Sequence, residues 1–355
     1  MLARQNSMPN QFLSNALHIA YSNLGSVSQN PSVGAVIVKN NVIIAEGVTQ
    51  PLGQDHAEIA AIKKCTPAQL NGATLYVTLE PCCHSNKRTP PCTTKIIESK
   101  FKEVIIGIID KNPNVNGKGI EALRAAGIKT TLLNDKKCEK LHEFFFHWIT
   151  TQRPFITIKA ALTKNGMMMW GNGKNKKITD KIADKKVHEL RKQHDAILVG
   201  INTIIKDNPQ LTNRSGTGKN PIKIILDGNL KTPLDAKIFN EGKTIIYYMK
   251  AGKNRIAELS KKCEVVKVSG SNHQVNLNDV LIDLGKRSIS SVLVEGGPTT
   301  IASFINQRLA NKCIFFIAEK EVNGTSFFSL LEKSLSLKDI TAHKCGNSIM
   351  IEGYL

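Results

Sequence analysis

Apolar and polar positions along residues 1–150 switch repeatedly between helical and strand spacing, with no internal repeat or low-complexity tract. Residues 34–39 and 41–47 alternate around a Lys-Asn-Asn turn, which is typical of a β-hairpin. Further strands are predicted at 73–80, 103–109 and 128–133, and helices at 9–24, 56–64, after Pro90-Pro91, and at 119–127. This alternation predicts an α/β domain with a mainly parallel sheet covered by helices.

An aromatic-rich helix predicted at 137–149 is followed by a polar stretch, where we place a domain boundary between residues 150 and 151. The second domain, 151–355, alternates again. Strands are predicted at 155–162, 196–200, 222–227, 244–249, 265–268, 291–297 and 313–318, with helices near 180–193, 253–261, 276–286 and 299–309. The second domain is therefore also expected to be α/β.

Composition supports two folded domains, since the chain has 355 residues, 41% of them hydrophobic and 22% charged. No run approaches the ~18 apolar residues that span a bilayer, and the first residues lack the apolar segment of a secretory signal. Five of the eight cysteines are scattered singly, as buried thiols are in a reducing compartment. We expect a cytoplasmic protein without membrane contact.

The formal net charge of +19 is concentrated in the second half, which carries +14, against +5 for residues 1–150. A basic surface suits nucleic acid, anionic lipid or small anionic substrates, and it is also common on lysine-rich proteins without such partners. Aromatic residues make up 5% of the chain, which leaves few platforms for stacking nucleic-acid bases. Charge alone does not choose between these interpretations.

Candidate metal chemistry is concentrated in His56-Ala57-Glu58 and in the segment from Pro81-Cys82 to Cys92. Zinc deaminases use one histidine and two cysteines as ligands, while a nearby glutamate carries protons without binding the metal. His56 and Glu58 fall in the first turn of a predicted helix, and Cys92 opens another helix, where a thiolate is favoured. The pattern predicts one zinc ion held by His56, Cys82 and Cys92, with Glu58 as acid and base.

Two neighbouring side chains are rival ligands by type, namely Cys83 and His84. Cys82 is preferred because it directly follows Glu-Pro. The common deaminase signature has two residues between its cysteines, whereas nine separate Cys82 from Cys92. A longer loop is therefore expected to enter or border the pocket.

The second half contains a Gly296-Gly297 turn between a predicted strand and helix, where backbone N–H groups can approach a phosphate. Such turns are also common without a ligand. Arg191 and Arg214 could clamp a phosphate or could be ordinary surface charges. No complete Gly-x-Gly-x-x-Gly motif follows the first strand, so a classical Rossmann site is not indicated.

Motifs along nearly the whole chain resemble a known family. In order they are NPSVGAVIV, QDHAE, YVTLEPC, TPPC, DKNPNVNGKG, IKAAL, DAILVG, DNPQLTNR and VEGGPTT. The chain resembles the bifunctional deaminase/reductases of riboflavin biosynthesis (the RibD or RibG type). The resemblance implies a cytidine-deaminase-like three-layer N-terminal domain and a dihydrofolate-reductase-like α/β C-terminal domain. It also implies that a phosphoribosyl-pyrimidine is deaminated with Zn²⁺ and its ribosyl chain then reduced with NADPH.

The same resemblance implies roles for individual residues. Lys159, Asp207 and Glu295 would serve catalysis in the reductase. The remaining positions would bind ligands: for the deaminase substrate Asn30, Arg88, Asp110 and Asn112; for the reductase substrate Arg191, Leu211, Thr212 and Arg214; and for NADPH Thr179, Gly200, Thr203, Gly296 and Gly297. The partner is then a small molecule rather than nucleic acid, and a homo-oligomer is expected for an α/β enzyme of this size.

Several positions depart from the family pattern. Thr49 stands where histidine is usual, and Lys111 where proline is usual. In the second half Thr163–Gly166 replaces Ser-Leu-Asp-Gly, Lys177 replaces a tryptophan, and Glu319 replaces a proline. These departures motivate one alternative, a deaminase with a non-catalytic second half. The net charge motivates another, an RNA- or nucleoside-editing zinc deaminase whose basic half grips its substrate.

Overall fold

The structure, a computed structural model, describes residues 8–27, 30–85, 89–168, 179–323, 325–326 and 328–355. The chain divides into two compact units, Met1–Gln152 and Arg153–Leu355. Within the described residues, every helix is too short or too polar to span a bilayer.

The first unit is a five-stranded sheet in the order β2-β1-β3-β4-β5, packed with helices. Its strands are β1 Gly34–Lys39, β2 Val42–Val48, β3 Thr74–Val77, β4 Glu103–Ile106 and β5 Lys129–Leu132. Its helices are α1 Met8–Ser22, α2 Ala57–Ile62, α3 Pro67–Leu70, α4 Cys92–Glu98, α5 Lys118–Ala125, α6 Lys136–Leu141 and α7 Glu143–Thr151.

Burial in the first unit follows the sequence periodicity. In α1, Leu13, Ala16, Leu17 and Ala20 form one fully buried stripe at helical spacing. The stripe approaches β1 so closely that a Cβ at Gly34 would lie 1.9 Å from the Ala16 carbonyl oxygen. A glycine is therefore required at this crossing, because a larger residue would push the helix off the sheet.

Two expectations for the first unit need correction. The sheet is mixed rather than mainly parallel, since β1 pairs antiparallel with both β2 and β3, while β3, β4 and β5 run parallel. The hairpin of β1 and β2 accounts for this. The single helix predicted at 137–149 is two helices, α6 and α7, because the backbone leaves helical geometry at His142 (φ −100°, ψ 8°).

The second unit is built on a nine-stranded sheet in the order β11-β10-β9-β8-β14-β6-β15-β18-β17. Its strands are β6 Phe155–Thr163, β7 Met167–Met168, β8 Ala196–Gly200, β9 Ile222–Leu226, β10 Thr244–Tyr248, β11 Glu264–Lys267, β12 Gly270–Ser271, β13 Gln274–Val275, β14 Ser291–Val294, β15 Lys312–Ala318, β16 Thr325–Ser326, β17 Lys338–Cys345 and β18 Ser348–Tyr354. Its helices are α8 Lys181–Gln193, α9 Ile201–Asp207, α10 Lys253–Ser260, α11 Leu277–Lys286 and α12 Pro298–Asn306, with short 3₁₀ turns at Lys237–Phe239 and Phe328–Leu330.

The seven strands from β11 to β15 in this order pair in parallel, whereas β18 pairs antiparallel with β15 and β17 pairs antiparallel with β18. Strands β14 and β6 are neighbours in a register that pairs Val294 with Ile158. Glu295 directly follows Val294, and Lys159 directly follows Ile158. This register therefore places the Glu295 and Lys159 side chains at the same level of the sheet. Neither α9 nor the C-terminal hairpin was predicted.

His194 is buried in the core of the second unit, 1% exposed, between two hydrogen-bond partners. Its Nδ1 lies 2.7 Å from the Leu190 carbonyl oxygen and its Nε2 lies 2.9 Å from Thr157 Oγ1. A carbonyl oxygen only accepts, so Nδ1 carries the proton and Nε2 accepts from the threonine hydroxyl. Burial lowers the pKa of His194 to about 4.

Acidification is expected to destabilise the second unit through His194. The folded pKa of about 4 lies below the ~6.5 of an unfolded histidine. The stabilisation present above pH 6.5 is therefore lost as the pH falls towards 4, by roughly 3 kcal/mol. His194→Gln should flatten this dependence, whereas the exposed His343→Gln should not. Hydrogen exchange of the β6 and β8 amides between pH 7 and 4.5 measures it, and equal pH slopes in wild type and His194→Gln would contradict the prediction.

Candidate active sites

A histidine and two cysteines from separate segments of the first unit converge on one point. Their candidate ligand atoms all lie within 4.8 Å of one another. His56 caps the start of α2, Cys82 follows β3 in a loop, and Cys92 is the first residue of α4. His56 Nδ1 lies 3.5 Å from Cys82 Sγ and 3.4 Å from Cys92 Sγ.

This donor set fits a zinc ion. Imidazole nitrogen and two thiolates are typical zinc ligands, and three protein ligands leave the fourth position for a reactant. Nδ1 faces both sulfurs, while Nε2 lies 3.4 Å from Thr89 Oγ1, an outer partner that can hold the ring in orientation. The backbone N–H of Cys92 also donates to Cys82 Sγ at 3.4 Å, which suits a thiolate.

The two rival ligands take other positions. Cys83 Sγ lies 3.8 Å from the Asn114 carbonyl oxygen, and His84 lines the adjoining cavity. Neither belongs to the three-residue group, which is the one group of potential metal ligands in the described part of the chain. The long loop between Cys82 and Cys92 borders the cavity through His84 and Thr89, as the spacing predicted.

Glu58 lies in the first turn of α2 and is 3% exposed, although it is charged by type. Burial raises its pKa, and the neighbouring Cys82 thiolate raises it further. Glu58 and His56 line the same cavity of about 310 Å³. The structure therefore brings the predicted proton carrier and the predicted ligands to one concave site.

The predicted substrate contacts of the first unit gather in this cavity, with one exception. Asn30, Asp110 and Asn112 line it, whereas Arg88 lies outside the described residues. Asp110 Oδ1 accepts from the Asn112 backbone N–H at 2.8 Å, which holds the Asp110 side chain against the loop. Burial raises the pKa of Asp110 to about 7. Thr49 also lines the cavity.

Glu80 is a positioning residue outside the set of site residues predicted from the sequence. Its buried carboxylate accepts from the backbone N–H groups of Asp110 at 3.2 Å, Gly117 at 2.9 Å and Ile120 at 3.1 Å. It therefore fixes the loop that carries Asp110, and it precedes Cys82 by two residues. The available signal was an acidic residue inside the Leu-Glu-Pro-Cys run, where a strand ends.

A second polar cluster lies in the second unit, around Glu295 at the end of β14. Arg191 of α8 donates to both carboxylate oxygens, from Nε at 2.8 Å and Nη2 at 3.0 Å. Lys159 Nζ of β6 lies 3.5 Å from Oε2. Burial alone would raise the pKa of Glu295, but Arg191 and Lys159 lower it to about 2. Glu295 is thus ionised at neutral pH.

Of the predicted site residues at the end of α9 and in the segment that follows it, Thr212 contacts this cluster, through its backbone. Arg191 Nη1 donates to the Thr212 carbonyl oxygen at 3.2 Å, and the buried Leu211 has a positive φ of 54°. Arg214 is exposed, and Asp207 is exposed at the end of α9. Within the described residues no hydrogen bond or ion pair joins Asp207 to Glu295.

The predicted cofactor residues divide between two cavities. Gly200, Thr203 and Gly297 line one of about 190 Å³, at the starts of α9 and α12. Gly296 adjoins Gly297 in the same turn. Thr179 lines another cavity, with Ser348 and Lys320 among its neighbours, and donates to Asp184 Oδ1 at 3.3 Å. Lys177 lies outside the described residues.

Comparison with known proteins links both units to one family. Residues 7–108 match the cytidine and deoxycytidylate deaminase zinc-binding region, and residues 154–351 match the RibD C-terminal domain. The riboflavin biosynthesis protein RibD of Aquifex aeolicus is 39% identical over 345 residues, covering 95% of both chains. That of Actinobacillus pleuropneumoniae is 39% identical over 318 residues, covering 88% of this chain and 84% of the relative.

A solved structure agrees over almost the full length. The Thermotoga maritima diaminohydroxyphosphoribosylaminopyrimidine deaminase/5-amino-6-(5-phosphoribosylamino)uracil reductase is 36% identical, with a TM-score of 0.85 and 98% of each chain covered. The Acinetobacter baumannii RibD is 29% identical at the same TM-score and coverage. The expected cytidine-deaminase-like and reductase folds are confirmed. The chain therefore belongs to the RibD family of riboflavin biosynthesis proteins, bifunctional enzymes that join a zinc-dependent deaminase to an NADPH-dependent reductase.

Proposed function

We propose that the first unit hydrolyses the 2-amino group of 2,5-diamino-6-(5-phosphoribosylamino)pyrimidin-4-one, and that the second unit then reduces the ribosyl group of the product to ribityl. The observation that carries the proposal is the convergence of His56, Cys82 and Cys92 beside the buried Glu58, in a cavity of about 310 Å³. The relative from Thermotoga maritima, whose name states both activities, supports the same substrates.

In the deaminase, His56, Cys82 and Cys92 hold the zinc ion. Zinc in such a site supplies a hydrolytic nucleophile at neutral pH. Glu58, the one carboxylate beside the cluster on α2, takes the proton of the attacking water and passes protons to the ring nitrogen and the leaving amine. Overall one C–N bond breaks, one C–O bond forms, and water is consumed as ammonia leaves.

The polar residues of the cavity orient the ring for this reaction. Asp110 and Asn112 sit on the loop that Glu80 fixes, so their hydrogen-bonding groups are positioned before substrate arrives. Asn30 and Arg88 complete the proposed contacts, and the guanidinium of Arg88 suits the ribose phosphate. Preformed contacts of this kind reduce the cost of ordering the substrate.

In the reductase, we assign binding of the phosphoribosyl chain to Lys159, Arg191, Leu211, Thr212 and Arg214. NADPH supplies the hydride that adds to C1′ of the ribosyl group, while a proton goes to the ring oxygen as the C1′–O bond opens. Glu295 is not assigned as that proton donor, because Arg191 and Lys159 hold its pKa at about 2. The proposed role of Glu295 is to hold Arg191 and Lys159 in place. The proton donor is then Asp207 or Lys159.

The cofactor is assigned to the two cavities around the sheet's carboxyl edge. Gly200, Thr203, Gly296 and Gly297 offer backbone approach and a hydroxyl at the starts of two helices, which suits the phosphates of NADPH. Thr179 is assigned to the same ligand, although it lines a different cavity. The basic excess of the second half agrees with two phosphate-bearing ligands.

The remaining assignments concern organisation. We place the deaminase in 1–150 and the reductase in 151–355, in agreement with the two compact units. We propose a cytoplasmic homo-oligomer. Six cysteines outside the zinc cluster are free thiols, which suits a reducing compartment: Cys65, Cys83, Cys138, Cys263, Cys313 and Cys345.

The test is zinc analysis of the purified protein, followed by ammonia release and NADPH absorbance in one reaction with the diaminopyrimidine phosphoribosyl substrate. Ammonia together with NADPH consumption supports both assignments. Ammonia without NADPH loss would overturn the reductase assignment and leave a binding or silent second unit. Zinc without ammonia would overturn the substrate and favour a nucleoside or RNA.

A further inference from the structure

The helix α7 contributes one side of the deaminase cavity. Phe145, Trp148 and Ile149 line it, at a spacing of three and four residues that places them on one helical face. Phe146, one position away from Phe145, turns into the core and is 4% exposed. The aromatic residues of α7 thus face both the core and the cavity. Core packing explains Phe146, but it does not explain the aromatic residues that line the cavity.

The lining aromatics are held in fixed orientations. The Phe145 and Trp148 rings lie 6.4 Å apart with a 48° tilt, and Phe145 packs on Phe146 at 6.1 Å. Such tilted contacts are favourable aromatic geometry. Since Phe146 is anchored in the core, the stack extends from the core to the cavity. Trp148 remains half-buried at the cavity end.

Large aromatic side chains left half-buried in a concave site, beside a few converging polar groups, indicate ligand contact. A pyrimidine ring presents hydrogen-bonding groups at its edges and two apolar faces. Asp110, Asn112 and Glu58 can serve the edges. Among the described lining residues, Phe145 and Trp148 are the ones that carry a phenyl or indole ring. Helix α7 therefore supplies the aromatic surface on which a face of the substrate ring can stack.

We propose that Trp148, braced by Phe145, is the stacking platform for the heteroaromatic ring of the deaminase substrate. The inference rests on the proposed deamination and deepens it. Trp148 is a binding and specificity residue, because it offers no proton or ligand atom for the chemistry. The site then accepts planar aminated heteroaromatic rings and rejects non-planar amines of similar polarity.

Fluorescence tests the contact directly, because the chain has two tryptophans, Trp148 and Trp170. In a Trp170→Phe, Glu58→Gln double variant, Trp148 is the one tryptophan, and the substrate is consumed far more slowly. The diaminopyrimidine phosphoribosyl substrate should quench this emission saturably through ring stacking, while ribose 5-phosphate should not. Absence of quenching in protein whose bound substrate is detected by equilibrium dialysis would overturn the inference.

Kinetics separate stacking from a structural role. Trp148→Leu should raise KM for ammonia release roughly 5- to 150-fold, the range measured for base–aromatic stacking, with kcat little changed. Trp148→Phe should retain most of the affinity. Phe144→Leu is the matched control, since Phe144 lies on α7 outside the cavity lining. Zinc content and NADPH oxidation with the deaminated product should match wild type in all three.

The outcomes distinguish this inference from the proposed function. An unchanged KM in Trp148→Leu, with a working wild-type deaminase, would overturn the stacking role and leave the function standing. Equal KM increases in Phe144→Leu and Trp148→Leu would assign α7 a structural role instead. No ammonia from wild type would overturn the deaminase substrate itself, whatever the variants do.

Discussion

Replacing Cys82 with serine is expected to abolish zinc retention and ammonia release while NADPH oxidation with the deaminated substrate continues. Cys82 Sγ is one of three converging donors, 3.5 Å from His56 Nδ1, and it accepts a backbone N–H bond from Cys92. A serine hydroxyl is a far weaker zinc ligand than a thiolate. Metal analysis after dialysis and the two activity assays measure the effect.

Two control variants make the Cys82 result specific. Cys83→Ser should keep zinc, because that sulfur faces the Asn114 carbonyl oxygen outside the ligand group. Glu58→Gln should keep zinc but lower deamination by roughly 10²- to 10⁴-fold, the usual contribution of a general acid–base. Full zinc content in Cys82→Ser, or zinc loss in Cys83→Ser, would contradict the assignment of ligands.

The metal site could be predicted because its information is local. His56 and Glu58 lie two residues apart at the start of α2, and Cys92 follows two prolines at the start of α4. Residue type and spacing therefore restrict the chemistry before any tertiary structure is known. Cys82 was preferred over Cys83 from its position after Glu-Pro, and the structure places its Sγ beside His56. The distance across the long loop could not be predicted.

The supporting contacts could not be predicted for the same reason. Glu80 fixes the Asp110 loop through backbone N–H groups about 30 to 40 residues away, and nothing in the local pattern specifies those partners. The break between α6 and α7 at His142 also lacks a proline or glycine to indicate it. Backbone geometry set by tertiary packing overrides helical periodicity there.

The C-terminal hairpin has a local sequence signal at its turn. Gly346-Asn347 is a two-residue turn of the kind that joins β17 and β18, and Gly346 has a φ of 63°. Its position depends on a distant contact, because the Asn347 N–H donates to Asp180, which also caps α8. Asp180 therefore ties the hairpin turn to the start of α8.

Replacing Glu295 with glutamine is expected to lower NADPH-dependent reduction by roughly a hundredfold or more and leave deamination intact. The carboxylate binds Arg191 through both oxygens and contacts Lys159. The three side chains are 7%, 12% and 15% exposed. Truncating one partner of a buried, hydrogen-bonded charge pair costs about 2–5 kcal/mol, since the remaining cations lose their counter-charge and their geometry.

The second unit offers a matched control in Glu264, which also contacts one lysine and one arginine. Glu264 Oε2 lies 3.2 Å from Lys243 Nζ and Glu264 Oε1 lies 2.6 Å from Arg287 Nη1, but the Glu264 side chain is 37% exposed. Solvent screens such a pair, so Glu264→Gln should cost less than about 1 kcal/mol and leave NADPH oxidation unchanged.

The pH dependence of reduction separates the two possible roles of Glu295. With a pKa of about 2, the Glu295 carboxylate stays charged at every pH near neutrality. If Glu295 only positions other groups, its ionisation therefore does not appear in the wild-type pH–rate profile. Glu295→Gln should then lower the rate at every pH without moving the profile. A variant that loses one limb of the profile would make Glu295 the proton donor, and one that reduces at the wild-type rate would remove it from the site.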